Sequence, residues 1–364
     1  MIPIAKPVIG EEEQNAVIEV LKSGIIAQGP KVLEFEQKFA DFCGTKYAVA
    51  LNSGTAALHT ALHVMGVEKG DEVITTPFTF IATANSILMA GAKPVFADVE
   101  PETFTINPKA IEDKITKRTK AIITVDIYGH LCDYEKINKI AKKQGLLVVE
   151  DACQAVNAEL DGKKAGSFGD IGVFSFYATK NLTCGEGGAI VTSNEKYAEK
   201  AVLFRQHGMS ALGAYDYNEV GYNYRTTDIN AAILVEQLKK IERITQKRIG
   251  NARYLSEELS KIEGIQVPIV RKNFRHVFHQ YTIKVNGFKL SRDNLFDYLR
   301  KKGIGCSIYY PKLLHLCKSF LKMGYRQGDF PVAEKLSGEI LSLPVHPSVS
   351  KEDLEYMVKT IKEI

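Results

Sequence analysis

Four short pieces of this 364-residue chain carry side chains suited to chemistry, and each follows a run of apolar residues. Behind "YAVAL" (47–51) stand Ser53, Gly54 and Thr55 at the start of a helical pattern. A glycine flanked by hydroxyls at a helix start offers N–H groups, hydroxyl donors and the positive end of the dipole, which suits a phosphate. The same residues also make a plain N-cap. Behind "DEVITTP" stand Phe78 and Phe80, which either pack in the core or stack on a flat ring. Behind "LLVV" stands Asp151, with Gln154 three residues on. A carboxylate leaving a buried strand needs a cationic or N–H partner. Behind "IGVF" come Ser175, Tyr177 and Lys180, followed by a glycine-rich turn. Taken singly, Lys180 reads as a solvated loop residue. Taken together, phosphate donors, an aromatic plate, a carboxylate and a lysine are what pyridoxal phosphate requires. Its aldehyde takes a lysine amine, its ring nitrogen a carboxylate, and its phosphate a helix N-terminus.

The elements that must position these residues follow from pattern. From residue 47 onward, apolar β-branched runs (47–51, 71–76, 93–99, 120–127, 146–151, 171–176 and 189–193) alternate with amphipathic segments. That alternation predicts an α/β fold with a mostly parallel sheet covered by helices on both faces. In such sheets ligands bind just beyond the carboxyl ends of the strands. Gly66, Gly91 and Gly145 read as helix stops. After about residue 225 a long helical stretch leads into a smaller α+β unit. That unit has a strand over 277–285 and helices over 291–303 and 351–364. The expected division is a large domain, 1–240, and a small C-terminal domain, 241–364.

Composition excludes several classes. The net charge is +4, too slight to argue for nucleic acid, and the basic run "KITKRTK" (114–120) reads as a solvated face. Cysteines at 43, 132, 153, 184, 306 and 317 form no C-x-x-C pair, which suits reduced thiols in a cytoplasmic protein. The N-terminus lacks the charged start and apolar core of a signal peptide, so no leader is expected. No apolar run approaches the roughly 20 residues of a membrane span. His276 and His279 form H-x-x-H, but on a strand that spacing puts the rings on opposite faces, so no metal is expected. His130 reads as part of a structural turn.

The segments "SGTAAL", "GDEVITTPFTFIATANSILMAGAKPVFADV", "VVEDACQA", "GDIGVFSFYATKNLTCGEGGAIVT" and "GYNYRTTDINAAI" resemble, in sequence and order, the DegT/DnrJ/EryC1/StrS family. These are sugar aminotransferases of the aspartate-aminotransferase fold, fold type I, and the resemblance runs over nearly the whole chain. Some relatives carry histidine in place of the lysine and are dehydratases, so Lys180 implies aminotransferase chemistry. The resemblance makes Lys180 the Schiff-base lysine and Asp151 the partner of the ring nitrogen. Gln154 and Phe80 would contact the two faces of the ring. Ser53, Gly54, Thr55 and Ser175 match the phosphate binders. Asn223 matches an asparagine that reaches the neighbouring subunit's phosphate, which implies a homodimer with shared sites.

The family's reaction implies L-glutamate as donor, a nucleotide-linked 3- or 4-keto sugar as acceptor, and ping-pong kinetics. "YYPKLLHL" (309–316) resembles the family's H-Y-x-P-x-H loop and makes His315 and Tyr310 substrate-site candidates. Tyr309 replaces the usual first histidine there, and Leu314 lies where proline or leucine varies. "AQGP" (27–30) resembles the segment that lines the sugar site, and "HVFHQYTI" and "LPVHP" are similar to members acting on 3-keto sugars. Two rival readings stand beside this one. Another fold-type-I enzyme acting on a small amino acid, such as a desulfurase, would need a reactive thiol, and Cys184 is the nearest to Lys180 in sequence. A non-catalytic regulatory relative would have no use for Lys180, Asp151 and Ser175.

Overall fold

The computed structural model describes residues 1–210 and 215–364. The apolar runs form β1 (Tyr47–Leu51), β2 (Glu72–Thr75), β3 (Lys93–Phe96), β4 (Thr119–Val125) and β5 (Leu147–Asp151). Two short strands, β6 (Glu159–Leu160) and β7 (Lys163–Lys164), precede β8 (Ile171–Ser175) and β9 (Gly188–Thr192). Seven of these make one sheet in the order β1-β9-β8-β5-β4-β2-β3. Only β9 runs against its neighbours, pairing antiparallel with β1 and β8. The remaining pairings are parallel.

Successive strand residues point to opposite faces, and the sheet divides its side chains accordingly. Ala50, Ile74, Ile122, Val148, Phe174 and Val191 join one core, against α2 (Pro30–Cys43), α6 (Tyr134–Gln144) and the first half of α8 (Asp228–Leu259). Val49, Val73, Ile123, Val149, Val173 and Ile190 join a second core, against α3 (Gly54–Val64), α4 (Ile81–Met89) and α7 (Glu195–Arg205). Two apolar faces explain why the strands read as continuous apolar runs rather than as alternating ones. Helices α1 (Glu11–Ser23) and α5 (Pro108–Glu112) complete this part of the molecule. Gly66, Gly91 and Gly145 all take positive φ, as helix stops require.

Helix α8 runs unbroken for 32 residues, and residue 240 falls inside it. Its buried residues change company along its length: Ile241 belongs with the large sheet, whereas Ala252, Leu255 and Leu259 join a third core. That core is built on a sheet of β10 (Ile265–Gln266), β12 (Tyr281–Val285) and β13 (Ile340–Leu343), with α9 (Arg292–Lys301) and α12 (Lys351–Lys362) packed on it. Ile2 joins the same core from the far N-terminus. The short β11 (Phe274–Arg275) pairs instead with β6, and α10 (Lys318–Leu321) and α11 (Pro331–Glu339) lie between α9 and α12 in sequence.

The strand expected over 277–285 begins only at Tyr281. Residues 276–280 form a loop held from other elements. Asn181 donates to the Val277 carbonyl at 3.1 Å, and Arg248 donates to those of Phe278 and His279 at 3.1 and 3.3 Å. Phe278 takes a positive φ of 46°. Strand alternation therefore does not govern His276 and His279. The His276 ring stacks on Phe278 with centroids 4.0 Å apart.

Helix α3 also carries a buried histidine that ties it to the segment before α8. The Nδ1 of His59 lies 3.0 Å from the Tyr224 hydroxyl, and its ring meets Phe204 and Tyr222 edge-on. Burial, helped by the nearby His63, lowers its pKa from 6.5 to about 4. A histidine kept neutral in the folded state favours folding above its unfolded pKa, and this contribution is lost as pH falls through the folded value. The stability difference between the wild type and a His59→Gln variant is therefore expected to hold constant above pH 6.5. It should then move in favour of the variant, by up to about 3 kcal/mol at pH 4. Chemical denaturation across that pH range checks it, and a pH-independent difference would contradict it.

Candidate active site

Because β1, β2, β5 and β8 point the same way, the four chemistry-bearing pieces emerge at one edge of the sheet. Ser53 caps α3, its Oγ accepting from Ala56 N–H at 3.1 Å. Gly54 has no room for a side chain. A Cβ there would stand 2.8 Å from the Ser175 Cβ and 3.1 Å from the Cys153 Sγ. A Cβ at Gly188 would stand 2.3 Å from the Ser53 carbonyl oxygen. The structure thus brings Ser53, Gly54, Thr55 and Ser175 together in a tight cradle at the α3 N-terminus.

Asp151 ends β5 and is only 4% exposed. Its Oδ2 accepts from the Thr83 hydroxyl at 2.8 Å, and its Oδ1 from the Cys153 N–H at 3.3 Å. The preceding residue, Glu150, faces the other side of the sheet. Its carboxylate accepts from the N–H groups of Gly166, Phe168 and Gly169 at 2.5, 2.8 and 3.4 Å, and burial raises its pKa to about 7. Gln154 is held at both ends of its amide. Its Oε1 accepts from Tyr128 N–H at 2.9 Å, and its Nε2 donates to the Tyr310 hydroxyl at 3.3 Å.

Phe78 is fully buried, whereas Phe80, at the start of α4, is 57% exposed, with its ring centroid 6.4 Å from that of Tyr310. Lys180 follows a turn closed by its own N–H on the Tyr177 carbonyl at 2.8 Å. Burial lowers its pKa, against the opposing pull of Cys153 and Asp151. Tyr310 is buried enough that its phenol pKa is raised, with Asp151 adding to the effect. Lys180, Asp151, Gln154, Phe80 and Tyr310 therefore face one space beside the cradle.

Two expected residues lie elsewhere. His315 is fully buried, its Nε2 3.0 Å from a Glu334 carboxylate oxygen and its ring edge-on to Phe330. The structure does not bring it to the Lys180 group. Asn223 is exposed, and its carbonyl accepts from the Asn52 side chain at 3.2 Å. His130 sits in a turn, its Nδ1 2.7 Å from the Leu131 carbonyl. Three neighbours escaped sequence reading: Thr83 and Cys153, both on Asp151, and His279, whose pKa burial lowers, with Lys180 and Arg248 adding to the effect. The one available signal was the Thr79–Thr83 spacing, which puts two hydroxyls on one face of a helix start.

Across residues 7–362 the sequence matches the DegT/DnrJ/EryC1/StrS aminotransferase family. The chain belongs to that family. It is 37% identical over 367 residues to the GDP-perosamine synthase of Caulobacter vibrioides, covering all of this chain and 98% of that one. The structure of DesV from S. venezuelae superposes with a TM-score of 0.93 at 33% identity, over 97% of this chain and 94% of that one. Spr1654 from Streptococcus pneumoniae, solved in a PLP form, superposes with a TM-score of 0.94 at 29% identity, over 100% and 98%. The family and fold expected from the sequence are both borne out, and the chain is an aminotransferase.

The residues present fit the pyridoxal phosphate that this family implies. A glycine cradle at a helix start would take the phosphate, and the exposed Phe80 ring would take one face of the pyridine. Asp151 would take the ring nitrogen, and the amine of the half-buried Lys180 the aldehyde carbon. A Gly54→Ala variant puts a methyl group into the cradle. Its affinity for pyridoxal phosphate, followed by absorbance titration, is expected to fall at least tenfold; wild-type affinity would show that the cradle does not hold the phosphate.

Proposed function

We propose that this chain moves an amino group from L-glutamate to a nucleotide-linked 3- or 4-keto sugar, using pyridoxal phosphate. The observation that carries this reading is the half-buried Lys180, its amine beside Asp151 and Cys153, with Cys153 in turn against the Gly54–Ser175 cradle. When bound, the cofactor supplies an electron sink for the bond electrons of the donor's α-carbon. Lys180 would hold the aldehyde carbon, and its amine, once free, would take and return the proton at the donor's α-carbon. A lysine must be neutral to act as a base, and burial favours that form. Asp151 would keep the ring nitrogen protonated. Gln154 and Phe80 would enclose the ring, and Tyr310 would close the side toward the substrate. Of the two substrate-site candidates we retain Tyr310.

The nucleotide-linked acceptor is supported by the family and by the name of the GDP-perosamine synthase relative. Asn223 stands on an exposed segment with Tyr217, Val220 and Tyr222, which suits a homodimer in which it reaches the neighbour's phosphate. The same reading divides the chain into 1–240 and 241–364. It places the protein in the cytoplasm, in keeping with six unpaired cysteines. No helix among the described residues is long and apolar enough to cross a membrane. The desulfurase alternative is disfavoured by Cys184. Burial raises its thiol pKa, and its Sγ lies 3.1 Å from the Glu186 carbonyl.

An absorbance spectrum with added pyridoxal phosphate tests the proposal. A visible band is expected that L-glutamate removes and one member of a panel of keto-sugar nucleotides restores. Lys180→Ala should lose turnover by roughly 10²–10⁴-fold or more. A band that glutamate leaves unchanged would point to a different donor or to an enzyme acting on a small amino acid. Absence of any band would leave the non-catalytic reading.

A further inference from the structure

Thr79, just ahead of α4, and Thr83, in its first turn, are each 2% exposed, with hydroxyl oxygens 3.1 Å apart. The Thr83 Oγ is 2.8 Å from Asp151 Oδ2. A hydroxyl has one proton to give. A carboxylate oxygen can only accept, so the Thr83 proton is committed to Asp151 and the Thr79 hydroxyl must donate to Thr83. The hydrogen-bond chain therefore has a fixed direction, from Thr79 through Thr83 to Asp151. The other carboxylate oxygen, Oδ1, has a longer 3.3 Å contact with the Cys153 N–H.

We infer that Thr83, oriented by Thr79, is a positioning residue that fixes the rotation of the Asp151 carboxylate and leaves Oδ1 for the cofactor's ring nitrogen. The inference rests on the reading of Asp151 given under Proposed function. Thr83 acts through Asp151, the acceptor of its hydroxyl proton. Its donor is a neutral group, so it steadies the carboxylate without adding a charge to compete with the ring nitrogen. The same helix start presents Phe80, so α4 sets the aromatic plate and the carboxylate angle together.

The test compares Thr83→Val, Thr83→Ser and Thr79→Val in the full-length chain, with pyridoxal phosphate as the probe. Hydrogen bonds to charged groups are the strong class, and loss of one corresponds to roughly 10- to 100-fold in binding. The Kd for pyridoxal phosphate is expected to rise by that factor in Thr83→Val, and the rate of the glutamate half-reaction to fall with its KM little changed. Thr83→Ser, which keeps the hydroxyl, should restore both. Thr79→Val should show a smaller change in the same direction. Thr83→Ala replaces the valine variant should that one not fold. Wild-type Kd and rate in the valine or alanine variant would overturn the inference, as would a serine variant as impaired as valine. Failure of the wild type to bind pyridoxal phosphate would instead sink the reading on which the inference rests.

Discussion

Everything at this site depends on keeping one amine out of water. An ammonium group in a buried setting is costly, and the group relieves that cost by giving up its proton more readily. Lys180 is half-buried, burial lowers its pKa, and the two groups that oppose the shift, Cys153 and Asp151, lie beside it. The balance is functional only if the amine stays near the carboxylate and is not neutralised by it. That geometry is fixed by backbone, because both residues leave adjacent parallel strands, β5 and β8. The cradle at the start of α3 adds N–H groups.

The surrounding structure reads as support for that placement. The reversed strand β9 lays its first glycine against the Ser53 carbonyl and so closes the cradle from the side. The 276–280 loop crosses from the third core and is fastened by Asn181, next to Lys180, and by Arg248 of α8. Arg248 spends its charge on carbonyls, and burial lowers its pKa to about 10. The connection between the two parts of the molecule thus runs through buried polar bonds as well as through the unbroken helix. The segment at 27–32 is held in a comparable way, with Asp228 accepting from the N–H groups of Gly29, Lys31 and Val32.

Much of this was legible in the sequence. The strands of the large sheet are apolar on both faces, so their runs stand out, and in a parallel sheet their ends must share an edge. That is why Ser53, Asp151, Ser175 and Lys180 are readable as a group in the sequence. What escaped reading depends on contacts made across long distances in the chain. Residues 276–280 look like a strand until Asn181 and Arg248 are seen to hold them. The threonines on Asp151 look like ordinary helix residues, because 68 positions separate Thr83 from its acceptor. His315 follows a motif in sequence, but its ring is drawn to Glu334, a carboxylate no local pattern could pair with it.

The division of strand side chains between two cores has a consequence for how this sequence can change. Neighbouring carboxylates on β5 have unlike duties: Glu150 gathers the N–H groups of the 166–169 loop on one face, and Asp151 faces the site on the other. Losing or gaining one residue inside β5 would exchange them, turning the loop's anchor toward the pocket and the pocket's carboxylate into the wrong core. Length variation is thus barred from this strand even where substitutions are tolerated. Insertions in descendants of this chain belong in the loops at the opposite edge of the sheet, where neither carboxylate can be displaced.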